Sequence, residues 1–391
     1  MSWPTVRFGD IVEFRNGLNY SRDNFGIGLK VISVGDFGDR LHPDLASLSE
    51  INPEGVAKAD DYLADGDLLF VRSNGNRDLV GRVMLMQGIG EQAVGYSGFC
   101  IRGRFLNERA SNPAFFAYQL RDPATKKRLT AGGVGANIAN VSQKTLSNLE
   151  VVNPSREVQD AVVAMIAVYD DLIAVNQHRI ALLEEAAHRL YREWFVHLRF
   201  RGHEAVKVVD GVPEGWGRKP LGDIASLNYG KALKATDRKI GNVPVYGSSG
   251  IVGYHDQALI ESGAIVIGRK GNVGSLFYSH VPSFPIDTVF FIEPQAASLY
   301  LYLALHQLNF ISSDSAVPGL NRTYAHSLLM LAPSTSVASA FDKLVGPLFE
   351  QSHTLKGQNV VLTKIRDALL PKLMSGQLDV SSIPMPEQEA A

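Results

Sequence analysis

One cysteine, Cys100, is all that this chain of 391 residues contains. A single thiol excludes a disulfide framework and any cysteine cluster for zinc or iron–sulfur, and a reducing cytoplasm is the simplest setting. Long apolar runs are lacking too. Stretches such as "GAIVIG" are strand-sized, far below the roughly 20 residues of a membrane span, so no membrane role is expected. The N-terminus "MSWPTVRFGD" has no basic-then-apolar leader pattern. Charge of one sign is missing: 38 Lys and Arg stand against 40 Asp and Glu, a net −2. That balance neither requires nor excludes nucleic acid, because a contact surface can be basic on a neutral whole.

Signatures of chemistry are absent as well. No "GxxxxGK[ST]" phosphate loop and no "NPP[YF]" occurs, and the histidines show no ligand spacing beside cysteines or paired carboxylates. "GGVGAN" has glycines at the wrong spacing for a dinucleotide, and not between a strand and a helix. Asp223 ahead of Asp237 to Lys239 is a faint echo of a metal-nuclease pattern, of a kind common in loops. No cofactor and no metal are expected.

What is present is a repeat. "WPTVRFGDI" at 3–11 returns as "WGRKPLGDI" at 216–224, with Trp3, Gly9, Asp10 and Ile11 matching Trp216, Gly222, Asp223 and Ile224. "GDLLFVRSNGNRDLVGR" at 66–82 returns in shorter form as "GAIVIGRKGNVGS" at 263–275. A looser third echo closes each copy, at Pro154 and at Pro333. Three echoes in order indicate a duplication, against the plain alternative of two unrelated α/β domains that share turn chemistry. Each copy reads as short apolar strands ("KVISVG", "DLLFVR", "AIVIG", "TVFFI") broken by glycine turns, with helix at "NPAFFAYQLR" and "SLYLYLALHQL".

After each copy the apolar period changes. From Ser155, a good N-cap, Val158, Val162, Met165, Tyr169 and Leu172 fall at steps of four and three. The stripe then resumes shifted by one, through Ile173, Asn176, Ile180, Leu183, Ala187, Leu190 and Trp194. This is a helix of about 40 residues with a coiled-coil seam. A matching run from Ser336 carries Phe341, Val345, Leu348, Ser352, Leu355, Asn359, Leu362 and Leu369, and Gly346-Pro347 should break or kink its beginning. Asn176 and Asn359 sit on otherwise apolar seams. Two readings fit: a buried amide pair that fixes register, or solvated edge positions.

The expected fold class is α+β. Two α/β domains related by a pseudo-twofold repeat are joined by two long antiparallel coiled-coil helices, as a dumbbell. The expected segments are 1–154 and 216–334 for the domains, 155–200 and 335–376 for the helices, 201–215 for the linker and 377–391 for a flexible tail. Two similar globules at a fixed separation suit a long repetitive ligand such as double-stranded DNA, read at two half-sites.

The chain resembles the specificity subunit of type I restriction–modification enzymes over essentially its whole length. "LTKIRDALLPKLMSGQLDV" (362–380) and "RLYREWFV" (189–196) look like that family's helix endings. "VPEGWGRKPLGDI" looks like the start of its second recognition domain, and "VYGSSGIVGYHD" (245–256) and "GRKGNVGS" (268–275) like its core. The first domain lacks a "YGSSG" counterpart. The resemblance implies two target recognition domains and two spacer helices, and a bipartite, asymmetric DNA target. It also implies docking of two adenine-methyltransferase subunits and of ATP-driven restriction/translocase subunits, with no chemistry in this chain. Against it stand a protein scaffold that binds partners but no nucleic acid, and an enzyme supported only by the Asp223 trace.

Candidate contact residues follow. Arg72 and Arg269 end strands and open glycine loops. Arginine offers a fork to guanine or phosphate; an exposed, ion-paired strand end is the plain alternative. Lys270 accompanies Arg269, and Asn74 and Arg77 share the first loop. Asn76 and Asn272 could read adenine or serve as turn residues. Tyr246, Ser248 and Ser249 offer hydroxyls. Asn321, Arg322, Thr323 and Tyr324 form a polar run that suits either DNA or a solvated loop. Lys231 belongs to a basic stretch suited to phosphate. "RDPATKKRL" (121–129) reads as a basic turn. Tyr191, Trp194 and Phe195 read as core that packs the first helix onto a globule, with docking of the methyltransferase as the alternative.

Overall fold

The computed structural model describes residues 3–38, 41–130, 140–261, 263–310, 319–378 and 380. "GGVGAN" and most of the expected tail lie outside them. The chain divides into two compact units, Met1–Ile173 with Val360–Ala391, and Ala174–Asn359.

The first unit contains strands β1 (Thr5–Arg7), β2 (Val12–Asn16), β3 (Phe25–Ile32), β4 (Ser49–Ile51) and β5 (Leu68–Val71). Strands β6 (Val83–Leu85), β7 (Val94–Tyr96), β8 (Cys100–Phe105) and β9 (Glu150–Val152) complete it. Its short helices are α1 (Pro113–Arg121), α2 (Pro123–Thr130) and α3 (Gln143–Ser147). The long helix α4 (Arg156–Tyr191) begins here and ends in the second unit. The sheets are β2-β8-β5-β6, β4-β3-β7 and the pair β1-β9.

The second unit opens with the linker hairpin β10 (Val208–Val209) and β11 (Val212–Pro213). It continues with β12 (Gly217–Pro220), α5 (Leu221–Ile224), β13 (Asn228–Tyr229), β14 (Val243–Gly247) and β15 (Gly250–His255). Then come β16 (Ala264–Gly268), β17 (Leu276–Ser279), β18 (Phe284–Pro285), β19 (Val289–Ile292) and α6 (Leu299–Leu305). Helix α7 (Arg322–Ser327), strand β20 (Leu329–Ala332) and the long helix α8 (Thr335–Met374) close it. Its sheets are β13-β19-β16-β17, β15-β14-β18 and β12-β20.

The two sets of sheets match strand for strand, down to a parallel pair in each three-stranded sheet, β3 with β7 and β14 with β18. The duplication is therefore a repeat of topology and not of turn chemistry alone. Both cores are apolar strands under a short helix: Phe8, Phe70, Phe115 and Phe116 are fully buried in the first, and Ile265, Ile267, Phe290 and Leu303 in the second. Tyr191 and Phe195 belong to the second core and Trp194 packs on it, as expected of the end of the first long helix.

The seam of α4 needs one correction. Ile166 is fully buried, whereas Leu172 is 46% exposed. With Ile166 in place of Met165, the positions Val162, Ile166, Tyr169, Ile173, Asn176, Ile180, Leu183, Ala187 and Leu190 alternate steps of four and three without a shift. Within the second unit α4 and α8 run antiparallel. Asn176 Nδ2 donates to Asn359 Oδ1 at 2.9 Å, and Lys356 Nζ donates to Glu184 Oε1 at 2.7 Å. The buried amide pair is thus the arrangement found.

Gly346-Pro347 does not interrupt α8, which is continuous for 40 residues. Phe341 and Val345 before the pair are fully buried, and Leu348 after it packs on the same core, so tertiary packing overrides local propensity. The segment 121–129 is not a turn but largely the helix α2. Pro123 stands at its first position, where its fixed φ suits a helix. Asp122 Oδ2 accepts from Thr125 N at 3.0 Å and caps the start.

Candidate nucleic-acid interface

The hydrogen bonds at one corner of each unit are written twice. Arg72 N donates to Phe99 O, and Arg269 N to Thr288 O. Val141 N donates to Arg72 O, and Leu320 N to Arg269 O. Gly17 N donates to Cys100 O, and Gly230 N to Val289 O. These bonds make Arg72 and Arg269 equivalent positions at the end of equivalent strands, β5 and β16. Both guanidiniums are anchored alike: Arg72 Nη1 donates to Gly98 O at 3.4 Å, and Arg269 Nη2 to Asp287 O at 2.8 Å. A glycine is required beside each corner. A Cβ on Gly17 would stand 2.2 Å from Ser97 O, and one on Gly230 2.0 Å from Ile286 O.

Around Arg269 the second unit gathers most of the residues expected there. Lys270 N also donates to Thr288 O at 3.1 Å, and Lys231 N donates to Pro285 O at 3.1 Å. Both lysine side chains are exposed. Ser275 Oγ donates to Ser248 O at 2.6 Å, which brings the Ser248–Ser249 turn beside the loop of Gly271 and Asn272. Asn321 Oδ1 accepts from Tyr324 N at 3.2 Å and caps α7, and Tyr324 Oη donates to Asn309 O. Asn321 and Tyr324 are therefore partly engaged in holding the loop, while Arg322 and Thr323 are exposed.

Tyr246 is a correction. It is 8% exposed, packed with Val266, Val289 and Phe277, and burial raises its phenol pKa. Ile286 N donates to Tyr246 O just as Ser97 N donates to Ile32 O, so Tyr246 takes the core place of Ile32. The hydroxyls at this turn are those of Ser248 and Ser249 alone.

In the first unit the loop after Arg72 ties itself down. Asn74 Oδ1 accepts from Asn76 N at 2.8 Å, and Asn76 Oδ1 from Asp78 N at 3.0 Å. Both carbonyls do turn work, which leaves the amide donors for a ligand. Lys126 Nζ of α2 donates to Asp78 O at 2.7 Å and pins the loop from outside. Arg77 is exposed, with no partner for its side chain among the described residues.

Two exposed aromatics were not anticipated. Tyr229, 50% exposed, lies under Arg269 and Arg322, whose guanidinium carbons stand 5.2 and 5.3 Å from its ring centroid. Phe99, 64% exposed, follows the glycine that anchors Arg72. The signal was an aromatic next to glycine at a strand end, "NYGK" and "SGFC". Aromatic rings beside arginines and lysines on a rigid corner can stack on bases, contact their edges and neutralise phosphates. For other chemistry the described residues offer little. No group of three His, Cys, Asp or Glu there could hold a metal, and burial pushes the Cys100 thiol up to about 12, which keeps it unreactive.

Fold and corner together define a class: a duplicated α/β chain with a long helix after each copy. The type I restriction modification DNA specificity domain matches residues 2–185 and 213–324, and the chain belongs to that family. The type I restriction enzyme MjaIX specificity subunit of Methanocaldococcus jannaschii is 26% identical over 281 residues, which are 64% of this chain and 65% of that protein. The similarity thus spans slightly less than two thirds of that relative's length. The HindI specificity subunit of Haemophilus influenzae is 22% identical over 342 residues, 64% of this chain and 74% of that protein. Among solved structures, the type I restriction-modification S subunit from M. genitalium matches in fold at a TM-score of 0.58. It covers 95% of this chain and 96% of its own, at 18% identity. No helix among the described residues is long and apolar enough to cross a membrane.

Proposed function

We propose that the chain is a DNA specificity subunit of a type I restriction–modification complex. Each unit reads one half of a bipartite, asymmetric target, and the chain carries out no chemistry of its own. The observation that carries this reading is the repeated corner. One hydrogen-bond frame presents Arg72 in the first unit and Arg269 in the second, while the side chains around the two arginines differ. A repeat with diverged tips suits two unlike half-sites on one duplex.

The same reading gives the chain partners: two methyltransferase subunits and the restriction/translocase subunits. Apolar side chains off the seam of α4 support docking. Val168, Leu172, Val175 and Leu182 are all 46–54% exposed and recur at steps of three, four and seven. The test is co-expression with the genes beside it, followed by mapping of methylated adenines in the host genome. A bipartite methylated motif that vanishes on deletion of this chain is the expected result. Failure to elute later than a neutral protein from immobilised DNA at low salt, with no such motif, would return the chain to the class of protein scaffolds.

A further inference from the structure

We infer that Arg322 is the guanine-reading residue of the second unit and that Tyr229 is the positioning residue that aims it. This rests on the DNA-reading function proposed above. The Arg322 guanidinium lies over the Tyr229 ring at 5.3 Å, and among the described residues it has no hydrogen-bond or ion-pair partner. Arg269 occupies the same ring at 5.2 Å but gives one nitrogen to Asp287 O. Among the described residues the two arginines thus differ in what they have left: Arg269 is fastened to a backbone carbonyl, and no nitrogen of the Arg322 fork is taken.

The support for that fork is fixed from three sides. Tyr229 packs on Phe290 of the core at 4.9 Å between centroids. Leu320 N donates to Arg269 O at 2.8 Å, which ties the Arg322 loop to the arginine strand. Asn321 caps the turn that carries Arg322. A guanidinium held against an aromatic ring is restricted in where its fork can point, which favours two parallel N–H bonds to one pair of acceptors, and guanine O6 and N7 are the base-edge acceptors spaced to take them. Phosphate accepts such a fork as well, but the exposed Lys231 and Lys270 at the same corner supply charge for it, which leaves the fork of Arg322 for a base edge. In the first unit the strand position equivalent to Tyr229 is Asn16, one residue before Gly17, and among the described residues no aromatic ring lies under the Arg72 guanidinium. The guanine subsite belongs to the second unit alone.

The experiment is selection of a random duplex DNA library on the full chain and its variants, with the enriched sequences read out. Wild type should enrich a motif with a guanine fixed in one half. Arg322→Ala and Arg322→Lys should each lower the preference for that guanine about tenfold and leave the other half unchanged. Tyr229→Leu should do the same and Tyr229→Phe should not, since phenylalanine keeps the ring; an unchanged melting temperature for both separates aiming from folding. Replacing that guanine by 7-deazaguanine, which lacks N7, should cost wild type a similar factor and cost Arg322→Ala nothing more. Full guanine preference in Arg322→Lys, or an equal loss on all sequences, would make Arg322 a phosphate contact and overturn the inference. So would equal losses in Tyr229→Phe and Tyr229→Leu. Enrichment of no sequence by wild type would remove the DNA reading itself, and this inference with it.

Discussion

Arg72 and Arg269 hold the same place in two copies of one fold, yet their neighbourhoods share little. The backbone bonds around them repeat donor for donor, and each arginine leans on the carbonyl of the residue two before the strand that follows, Gly98 or Asp287. Beyond that frame, the first corner carries an exposed Phe99 and a loop stitched by Asn74 and Asn76. The second carries Tyr229 under two arginines, with Lys270 beside them. Strand ends and tight glycines are shared because the fold requires them, whereas the outward side chains are free to diverge because no core depends on them.

The long helices differ in the same way between units. In the first unit Asp170 of α4 accepts from Arg366 Nη1 and from Tyr118 Oη, both at 2.6 Å. In the second unit the neutral Asn176–Asn359 pair holds the seam, with Asn176 only 7% exposed. One clamp is charged and half-buried on both sides; the other is uncharged, with Asn176 buried and Asn359 half-buried.

The largest effect should come from the shared frame. Gly17→Ala and Gly230→Ala each force a Cβ into a backbone carbonyl and should cost about 3 kcal/mol, read as a fall in melting temperature. Tolerance of one and not the other would break the equivalence of the two corners. Next come the clamps. Asn359→Ala strands the Asn176 amide in the seam and should cost about 1–3 kcal/mol, while Asn176→Val with Asn359→Val should cost less than the two single changes summed. Arg366→Met in the first unit should cost nearer 1 kcal/mol, because water already screens part of that ion pair. Calorimetry that reversed this order would show the charged clamp to be the stronger.

A smaller difference lies in the response to acid. Nine of the ten histidines fall in the second unit, and His42 alone in the first. His280 stacks on His353 at 4.9 Å, and burial first, then His353 and Lys356, lower its pKa from 6.5 to about 4. Above pH 6.5 neither folded nor unfolded chain binds this proton, and the stability is fully present. As pH falls from 6.5 towards 4 only the unfolded chain takes it up, and stability is lost. Amide exchange at pH 7 and pH 5 should therefore show β17 and α6 losing protection before β5 and α1. Equal loss in both units would remove the distinction.

Much of this was legible in the residues. Glycine-flanked apolar runs gave the strands, and the offset of the two "GN" echoes aligned Arg72 with Arg269 correctly. The amide pair could be named but not chosen, because a lone Asn on a seam looks the same whether or not a partner faces it. Leu172 was misplaced since Met165 and Ile166 are both apolar, and only burial tells which one follows Val162 on the seam. Tyr246 misled for a related reason: a hydroxyl suggests a surface, but Tyr246 lies on the central strand of its sheet, where Pro244 to Gly247 are all buried. Tyr229 was missed because its role depends on two arginines far along the chain, which no local pattern brings together. How each half of the chain relates to its neighbours in a complex has no local signature at all.

The most direct test of two separate readers is to map methylated adenines in cells that express the system with Arg72→Ala or with Arg269→Ala. Each variant should relax or abolish one half of the bipartite motif, a different half in each case, and leave the other half as it is in wild type. If both variants altered the same half, or weakened methylation at all sites alike with a shallower salt dependence of DNA binding, the two corners would not be separate readers.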